Sequence, residues 1–321
     1  MRVAVLGGGI SSEHEVSLRS AASVAAGLRE AGHDTVEVTI ARDGGWRAGG
    51  ERVEFTPGGG LLGCAAVFPV LHGPGGEDGS IQGLLEVLDL PYAGSDVESS
   101  ALCMDKLVFK DVLARHGIPQ VDYCRVGEEG WRQTVAGFGE PVWVKPARLG
   151  SSVGIAPASG DEQLDRAVEQ AGRHDPRVIV EAPAPGKEVE CSLLGNEDPV
   201  ASQPGEIVTR ASDWYDYQAK YAEGGMELRV PAEIPDAARQ EVRELARRVF
   251  TLCGCSGLAR CDFFVDGERV LVNELNTIPG FTETSVYGKL FEADGIPYAE
   301  LCDRLLQLAV ERYETARSYE L

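Results

Sequence analysis

Three polar residues near the C-terminal end of the chain have the types and spacing of a metal site. Asp262, Glu274 and Asn276 belong to residues 260–279, where apolar runs flank the turn Asp266-Gly267-Glu268. An Asp-Gly turn between apolar runs predicts a β-hairpin. Glu274 and Asn276 then point to the same face, with Asp262 on the partner strand. Two carboxylates and an amide oxygen suit Mg²⁺; the alternative is a solvated strand face without a ligand.

The residues around this hairpin resemble the metal-binding end of the ATP-grasp ligases, with R-x-D before the turn and N-E-x-N-x-x-P-G after it. Within that superfamily, residues 7 to about 286 are similar to D-alanine–D-alanine ligases. The resemblance implies that ATP drives the joining of two D-alanine molecules through an acyl phosphate, giving ADP and phosphate, in peptidoglycan precursor synthesis. It also implies two Mg²⁺ ions, with Mn²⁺ as a substitute, at the three residues named above.

Lysines are the candidate phosphate ligands. Most lysines are solvent-exposed, so Lys106, Lys145 and Lys220 carry little information by themselves. Lys145, however, ends the apolar run VWVKP, which directs it towards the glycine loop at 150–154. The resemblance implies that Lys106 and Lys145 bind the α- and β-phosphates and that Lys220 reaches the γ-phosphate.

The rest of the predicted ATP site comes from the resemblance. Ser152 lies in the glycine loop, where small residues let backbone N–H groups approach phosphate oxygens. The adenine is expected along residues 178–182, with Glu181 near its exocyclic amine and Glu188 at the ribose hydroxyls. Many relatives have a lysine where this chain has Ala182, so only backbone contacts to the adenine are expected there.

The resemblance also assigns the two D-alanine sites. Glu15, at the start of a predicted helix where the macrodipole favours a carboxylate, is expected to bind the ammonium group of the first D-alanine. His72 is expected beside the carboxylate of that substrate, and a structural histidine is the alternative. Arg260 and the Gly280 amide would stabilise the tetrahedral intermediate, since a rigid donor fork and a fixed amide suit developing negative charge.

The second D-alanine and the lid complete this assignment. Ser285 and the Val286 amide are expected at the carboxylate of the second substrate. Residues 206–225 form a long polar segment, which suits a lid that keeps water from the acyl phosphate. Tyr221 in this segment is expected to join Ser151 and Glu15 in a hydrogen-bonded link over the first substrate, and a tyrosine there goes with D-alanine as second substrate.

The element pattern and the resemblance predict an ATP-grasp fold of mixed α/β and α+β class. An N-terminal Rossmann-like parallel-sheet domain is expected at 1–98, a small central α+β domain at 99–184 and a larger C-terminal α+β domain at 185–321. Strands are predicted at 2–6, 34–40, 65–71, 141–145, 178–181 and 188–194. Helices are predicted at 15–31, 81–88, 97–116, 161–173, 236–253 and 298–316.

Composition limits the partners. The net charge of −21 argues against a nucleic-acid partner. The sequence has neither a run of roughly 18 apolar residues nor a signal-peptide pattern, so we expect a cytoplasmic protein without a membrane partner. Its eight cysteines are scattered through apolar surroundings, which favours reduced, buried thiols. The small-molecule partners are then D-alanine and ATP, and a homodimer is expected from the resemblance.

Other functions remain open at this point. A D-alanine–D-lactate ligase, or another ATP-grasp carboxylate–amine ligase, is the main alternative among enzymes. A nucleotide-binding regulator without catalysis is disfavoured because the metal and oxyanion residues are all present. A nicotinamide enzyme is disfavoured because Ser12 replaces the third glycine of G-x-G-x-x-G.

Overall fold

The computed structural model describes residues 1–209, 226–282 and 284–319, which form three β-sheets flanked by helices. The N-terminal elements are β1 Arg2–Gly8, α1 His14–Glu30, β2 Asp34–Ile40, β3 Trp46–Ala48, β4 Glu51–Arg52, β5 Ala66–Pro69 and α2 Ser80–Val87. Their sheet has the order β4-β3-β2-β1-β5, and β1 is parallel to β2 and β5. The Rossmann-like parallel arrangement is therefore confirmed. The antiparallel strands β3 and β4 extend its edge and are too short to be predicted from periodicity.

A small antiparallel sheet follows in the middle of the chain. Its elements and those leading into it are α3 Val97–Met104, α4 Lys106–Arg115, β6 Tyr123–Arg125, α5 Trp131–Ala136, β7 Val142–Pro146, β8 Ala156–Ala158, α6 Gly160–Gly172 and β9 Val178–Glu181. The strand order is β6-β9-β7-β8. The inner strand β9 pairs with β7, so side chains of the two strands can meet at the cleft described below.

The third sheet has the order β13-β12-β10-β14-β15, with β11 paired to β10. Its elements and the helices around it are β10 Lys187–Gly195, β11 Val200–Ala201, β12 Gly205–Thr209, β13 Met226–Arg229, α7 Asp236–Leu252, β14 Gly257–Asp266, β15 Arg269–Asn276, α8 Val286–Ala293 and α9 Tyr298–Arg317. β14 and β15 form the predicted hairpin, with Gly267 at a φ of 59° in its turn. Of the predicted lid, 206–209 belong to β12 and the remainder lies outside the described residues.

One predicted helix is divided into two. The pattern at 97–116 predicts a single helix with Lys106 near its middle, but α3 ends at Met104 and α4 begins at Lys106. Asp105 between them is extended, with a ψ of 98°, and its carboxylate accepts hydrogen bonds from the amides of Leu107 and Val108. This N-cap interrupts the helix and makes Lys106 the first residue of a new one.

Two hydrophobic cores extend across the domain boundaries predicted from the sequence. Residues of β1, α1 and β5 pack with Tyr287 of α8 and Leu305 of α9. Cys103 of α3 and Phe109 of α4 pack with α7 and the hairpin. The domain boundaries near 98 and 184 therefore remain predictions. The helices α3 and α4, which follow the first boundary, share a hydrophobic core with the C-terminal part of the chain.

All eight cysteines lie in the described residues as buried free thiols, as composition predicts. Among the helices that the structure describes, none is long and apolar enough to cross a membrane.

Candidate active site

A cleft of about 280 Å³ lies between the small central sheet and the large C-terminal sheet. It brings together predicted residues from the glycine loop, both sheets and the start of α4. The predicted site residues that line it are Lys106, Lys145, Ser151, Ser152, Glu181, Ala182, Glu188, Asp262 and Glu274. Residues that are far apart in the sequence therefore share one cavity, as the resemblance implies.

Lys145 reaches this cleft from near the end of β7. Its Nζ lies 2.5 Å from Oε2 of Glu181 on the neighbouring strand β9. The other oxygen of Glu181 lies 3.1 Å from Nζ of Lys110, which is fully buried. Burial alone would raise the pKa of Glu181, but the two lysines overcome this and hold the pKa at about 2. The carboxylate is therefore ionised and fixes the Lys145 ammonium group at the cleft wall.

Lys106 enters the same cleft from the N-terminus of α4. Its Nζ donates a hydrogen bond to the Leu149 carbonyl at 3.0 Å and lies 3.4 Å from a Glu274 oxygen. A helix N-terminus carries partial positive charge, so α4 and the Lys106 ammonium group together favour an anion at this position.

The glycine loop has an unusual backbone. Ser151 and Ser152 have φ values of 50° and 58°, a left-handed conformation that is uncommon for residues other than glycine. Such conformations cluster at ligand-binding loops, where the surrounding structure holds them. Here the Ser151 hydroxyl contacts the carboxylate of Glu13, so the loop is connected to the start of α1.

The hairpin brings the predicted metal ligands together. Asp262 of β14 lies directly opposite Glu274 of β15, and a bulge follows between Asp262 and Phe263. Asn276 donates a hydrogen bond from Nδ2 to Asp262 Oδ2 at 3.1 Å. Bulges redirect side chains next to active sites. The oxygen donors of this group fit a hard divalent cation, since each carboxylate oxygen offers more than one lone pair.

Arg260 borders the metal-binding residues. Its guanidinium makes two hydrogen bonds of 2.7 Å to the carboxylate of Asp262 and a 2.9 Å ion pair with Glu190 of β10. The carboxylates of Asp262 and Glu190 hold the planar guanidinium group in place, so its orientation is fixed before a substrate binds. Sequence reasoning missed Glu190, because no motif distinguishes it from Glu188, the other glutamate of β10.

The structure corrects the prediction for Glu15. The side chain of Glu15 is 72% exposed and pairs with Arg42 at 3.4 Å on the outer surface. Glu13, two positions earlier, is only 6% exposed, and its carboxylate contacts the Ser151 hydroxyl. A Cβ atom at Gly73 would lie 2.7 Å from Glu13 Oε2, so a glycine is needed beside this carboxylate. Glu13, and not Glu15, is therefore the carboxylate that faces the glycine loop.

Both ring nitrogens of His72 are engaged within the protein. Nδ1 lies 3.1 Å from the Ile278 carbonyl and Nε2 lies 3.1 Å from Ser20 Oγ. A carbonyl only accepts, so Nδ1 carries the proton, and burial lowers the pKa of the ring. Ser20 in turn accepts from the Phe281 amide at 3.3 Å. His72 thus anchors the segment that contains Gly280, which favours the structural alternative for this histidine.

Glu77 is another carboxylate near this segment that sequence reasoning missed. Glu77 accepts hydrogen bonds from the amides of Gly73 at 2.8 Å and Ile278 at 3.3 Å. Burial, together with the negative charge of Glu13, raises the pKa of Glu77 to about 8. The available signal was an acidic residue in the loop HGPGGEDGS after a predicted strand.

The residues expected at the second substrate lie at the start of α8. Ser285 is the N-cap residue of this helix, and its hydroxyl accepts from the Thr282 amide at 2.9 Å. Val286 is the first helical residue, so its amide belongs to the N–H groups that have no partner within the helix. A Cβ atom at Gly280 would lie 3.1 Å from Ser285 Oγ, which places Gly280 next to this N-terminus. Lys220 and Tyr221 lie outside the described residues.

Comparison with known proteins agrees with this geometry. The D-ala D-ala ligase N-terminus family matches residues 2–58 and 60–95, and the D-ala D-ala ligase C-terminus family matches residues 112–307. The D-alanine–D-alanine ligase of Deinococcus radiodurans is 47% identical, with 97% of this chain and 98% of that relative covered. The corresponding ligase of Solibacter usitatus is 44% identical, with 98% and 96% covered.

Solved structures give the same result. The D-alanine–D-alanine ligase of Coxiella burnetii has a TM-score of 0.90 and 34% identity, with 99% of this chain and 96% of that chain covered. The D-Ala:D-Ser ligase VanG of Enterococcus faecalis has a TM-score of 0.86 and 33% identity, with 96% and 99% covered. The match in sequence and in fold extends over nearly the whole chain, so the chain belongs to the D-alanine–D-alanine ligase family.

Proposed function

We propose that this protein joins two D-alanine molecules, with ATP cleaved to ADP and phosphate. The observation that carries this proposal is the cleft in which Lys106 and Lys145 face Asp262 and Glu274. Cations for phosphate oxygens and oxygen ligands for a metal meet in one cavity, which is the arrangement that phosphoryl transfer requires.

The nucleotide occupies this cleft. Lys106 and Lys145 bind the α- and β-phosphates, amides of the loop around Ser152 cover the phosphates, and Glu188 binds the ribose. Ala182 offers only its backbone to the adenine beside Glu181. Lys220 of the lid reaches the γ-phosphate.

Asp262, Glu274 and Asn276 would hold two Mg²⁺ ions, or Mn²⁺ in their place. When bound, the ions neutralise charge on the phosphates during transfer. Arg260 remains beside them, with its guanidinium held by Asp262, and is available to the substrate carboxylate as it becomes an acyl phosphate.

Glu13 takes the role predicted for Glu15 and binds the ammonium group of the first D-alanine. It is buried, and its carboxylate contacts Ser151 of the glycine loop. Nucleotide and first substrate are therefore bound by one connected group of residues. Tyr221 extends this link from the closed lid, which excludes water from the acyl phosphate.

The amine of the second D-alanine attacks the acyl phosphate and releases phosphate. Arg260 and the Gly280 amide stabilise the negative charge of the tetrahedral intermediate, because fixed donors need little reorganisation. Ser285 and the Val286 amide bind the carboxylate of the attacking substrate at the N-terminus of α8.

Activity is tested by measuring phosphate release from ATP and Mg²⁺ with D-alanine, D-serine, D-lactate or L-alanine as co-substrate. Among these co-substrates, only D-alanine should support rapid phosphate release. Removal of the metal with a chelator should stop this release. Equal rates with D-serine would show a broader second site. Mass spectrometry of the products from pH 6 to 9 extends the test: Tyr221→Phe should form D-lactate ester that the wild type does not form. No release with D-alanine contradicts the proposal.

We also propose that the three segments 1–98, 99–184 and 185–321 are the structural domains, that the protein forms a homodimer and that it acts in the cytoplasm in peptidoglycan precursor synthesis. Limited proteolysis tests whether these segments are separate domains, and sedimentation tests whether the protein is a dimer.

A further inference from the structure

Lys110 is a buried cation immediately behind the proposed phosphate site. It lies four positions after Lys106 on α4, so both lysines are on the same side of the helix. The side chain of Lys106 borders the cleft, whereas that of Lys110 is 0% exposed and contacts Glu181 at 3.1 Å. A fully buried lysine is rare and needs a compensating partner.

The surroundings of Lys110 orient it towards Glu181. Its Nζ donates to the Val121 carbonyl at 3.3 Å and lies 5.7 Å from the centre of the Tyr123 ring. Glu181 places its second oxygen 2.5 Å from Lys145. The carboxylate therefore lies between two ammonium groups, one buried and one at the cleft.

The charges of this group decide what the cleft offers to a phosphate. If Glu181 paired with Lys145 alone, the pair would be neutral and the attraction of Lys145 for phosphate would be largely cancelled. Burial lowers the pKa of Lys110, and the adjacent Glu181 carboxylate opposes this shift by favouring the ammonium form. With the Lys110 ammonium group on the other oxygen, the three groups together carry one net positive charge. Glu274 and Glu188 also act on Lys145, so the additional cation offsets a strongly acidic environment.

We propose that Lys110 is a positioning residue for the nucleotide: it binds one oxygen of Glu181, so that this carboxylate orients Lys145 without cancelling its charge towards the phosphates. The inference rests on the proposed function, because it takes the cleft to be the ATP site. The alternative role is purely structural, in which Lys110 only connects α4 to β9.

The test compares Lys110→Gln, Glu181→Gln and the double variant by calorimetric titration with Mg–ADP and with adenosine. The side chain in Lys110→Gln can still donate a hydrogen bond to the Val121 carbonyl. The remaining pair of Glu181 and Lys145 then carries no net charge. Mg–ADP should bind about tenfold more weakly, as expected for the loss of one nearby charge at low effective dielectric. Adenosine has no phosphates and should bind within about twofold of wild type.

The double variant separates the two roles. It removes one positive and one negative charge, so one net positive charge remains on Lys145. Because Glu181 lies beside the proposed adenine position, the measure is the ratio of Mg–ADP affinity to adenosine affinity, which should return most of the way to the wild-type value. A structural role predicts either that this ratio is unchanged in Lys110→Gln or that it is no higher in the double variant than in Lys110→Gln. Either result overturns the proposal.

Lys187→Gln is the matched control. Lys187 also pairs with a buried glutamate, Glu206, at 2.9 Å, but this pair does not include Lys145. Mg–ADP affinity of this variant should equal that of wild type. If Lys110→Gln does not fold, Glu181→Gln and the double variant decide, because they differ only at Lys110. The charge argument predicts a higher ratio of Mg–ADP affinity to adenosine affinity for Glu181→Gln, and a structural role predicts equal ratios. Absence of Mg–ADP binding by the wild type would instead overturn the proposed function.

Discussion

At the scale of single residues, Glu13 and Glu15 show how helix geometry separates two chemically identical side chains. Consecutive residues of an α-helix are rotated by roughly 100°, so side chains two positions apart point to nearly opposite sides. Glu13 is the residue before the first turn of α1 and its side chain contacts Ser151, whereas Glu15 in the first turn faces solvent and Arg42. The macrodipole favours a carboxylate at either position, so only orientation decides which one can reach a substrate.

The first prediction follows from this difference. Glu13→Gln removes the charge proposed to bind the ammonium group and should lower kcat/KM for D-alanine by about 100-fold, since a buried charged hydrogen bond is lost. Glu15→Gln should remain within about twofold of wild type, because a surface ion pair contributes little. Steady-state phosphate release at varied D-alanine concentration measures both. A large loss in Glu15→Gln with a normal Glu13→Gln would restore the assignment made from sequence.

Glu181 gives a second prediction, for stability against pH. Its folded pKa of about 2 lies below the value of about 4.3 for an unfolded glutamate. Its contribution is therefore fully present above that unfolded value and is lost as the pH falls towards 2. Relative to Glu181→Gln, the wild type should lose up to about 3 kcal/mol of unfolding free energy over this window. Urea unfolding at pH 3, 4, 5 and 6 measures the difference; parallel pH profiles would contradict it.

At the scale of elements, the break between α3 and α4 places a lysine at a helix N-terminus. Asp105 caps α4 and also pairs with Arg177 at 3.0 Å. The cap directs the first turn of α4 and the Lys106 ammonium group into the same cleft. A continuous helix would leave Lys106 in a mid-helix position without free amides beside it.

The third prediction tests this arrangement with two cap variants. Asp105→Ala should cost about 1 kcal/mol or more of stability through the lost cap and should raise KM for ATP several-fold. Asp96→Ala is the control, since Asp96 caps α3 by accepting from the Ser99 amide but positions no phosphate ligand. It should cost a similar stability and leave KM for ATP unchanged. Equal changes in KM for ATP in the two variants would show that the break between α3 and α4 does not position Lys106.

At the scale of the whole molecule, the two ends of the chain share one core. Leu305 of α9 is fully buried among residues of β1, α1 and β5, and Phe281 of the Gly280 segment belongs to the same cluster. The C-terminal helix therefore supports the N-terminal sheet, and the segments proposed to bind substrate in both parts of the chain are held by common packing.

The fourth prediction concerns this shared core. Leu305→Ala should lower the free energy of unfolding by about 3 kcal/mol, the usual cost of a buried leucine truncated to alanine. Leu308 on the same helix is the matched control, because it packs against the cluster but is only partly buried, so Leu308→Ala should cost clearly less. Urea unfolding followed by circular dichroism measures both. Similar losses for the two variants would show that the cluster is not tightly packed.

Much of the fold follows from the sequence because periodicity and turn residues are local signals. The strand at 34–40, the hairpin turn at Gly267 and the helix that begins at Asp236 are all present in the structure. The break at Asp105 was missed, because an aspartate within a helical pattern acts as a cap only when its backbone is extended, and periodicity does not show this.

The sequence by itself determined which chemistry the chain can perform. Oxygen ligands on a hairpin predict a metal site, and a lysine after an apolar strand predicts a phosphate ligand. Both predictions depend only on residue type and local spacing. Only the tertiary structure decided which charged groups meet. Glu13 faces Ser151 across 138 positions, and Lys110 meets Lys145 through Glu181, because α4, β7 and β9 pack together. Such contacts arise from the packing of distant elements, and local sequence patterns carry no record of that packing.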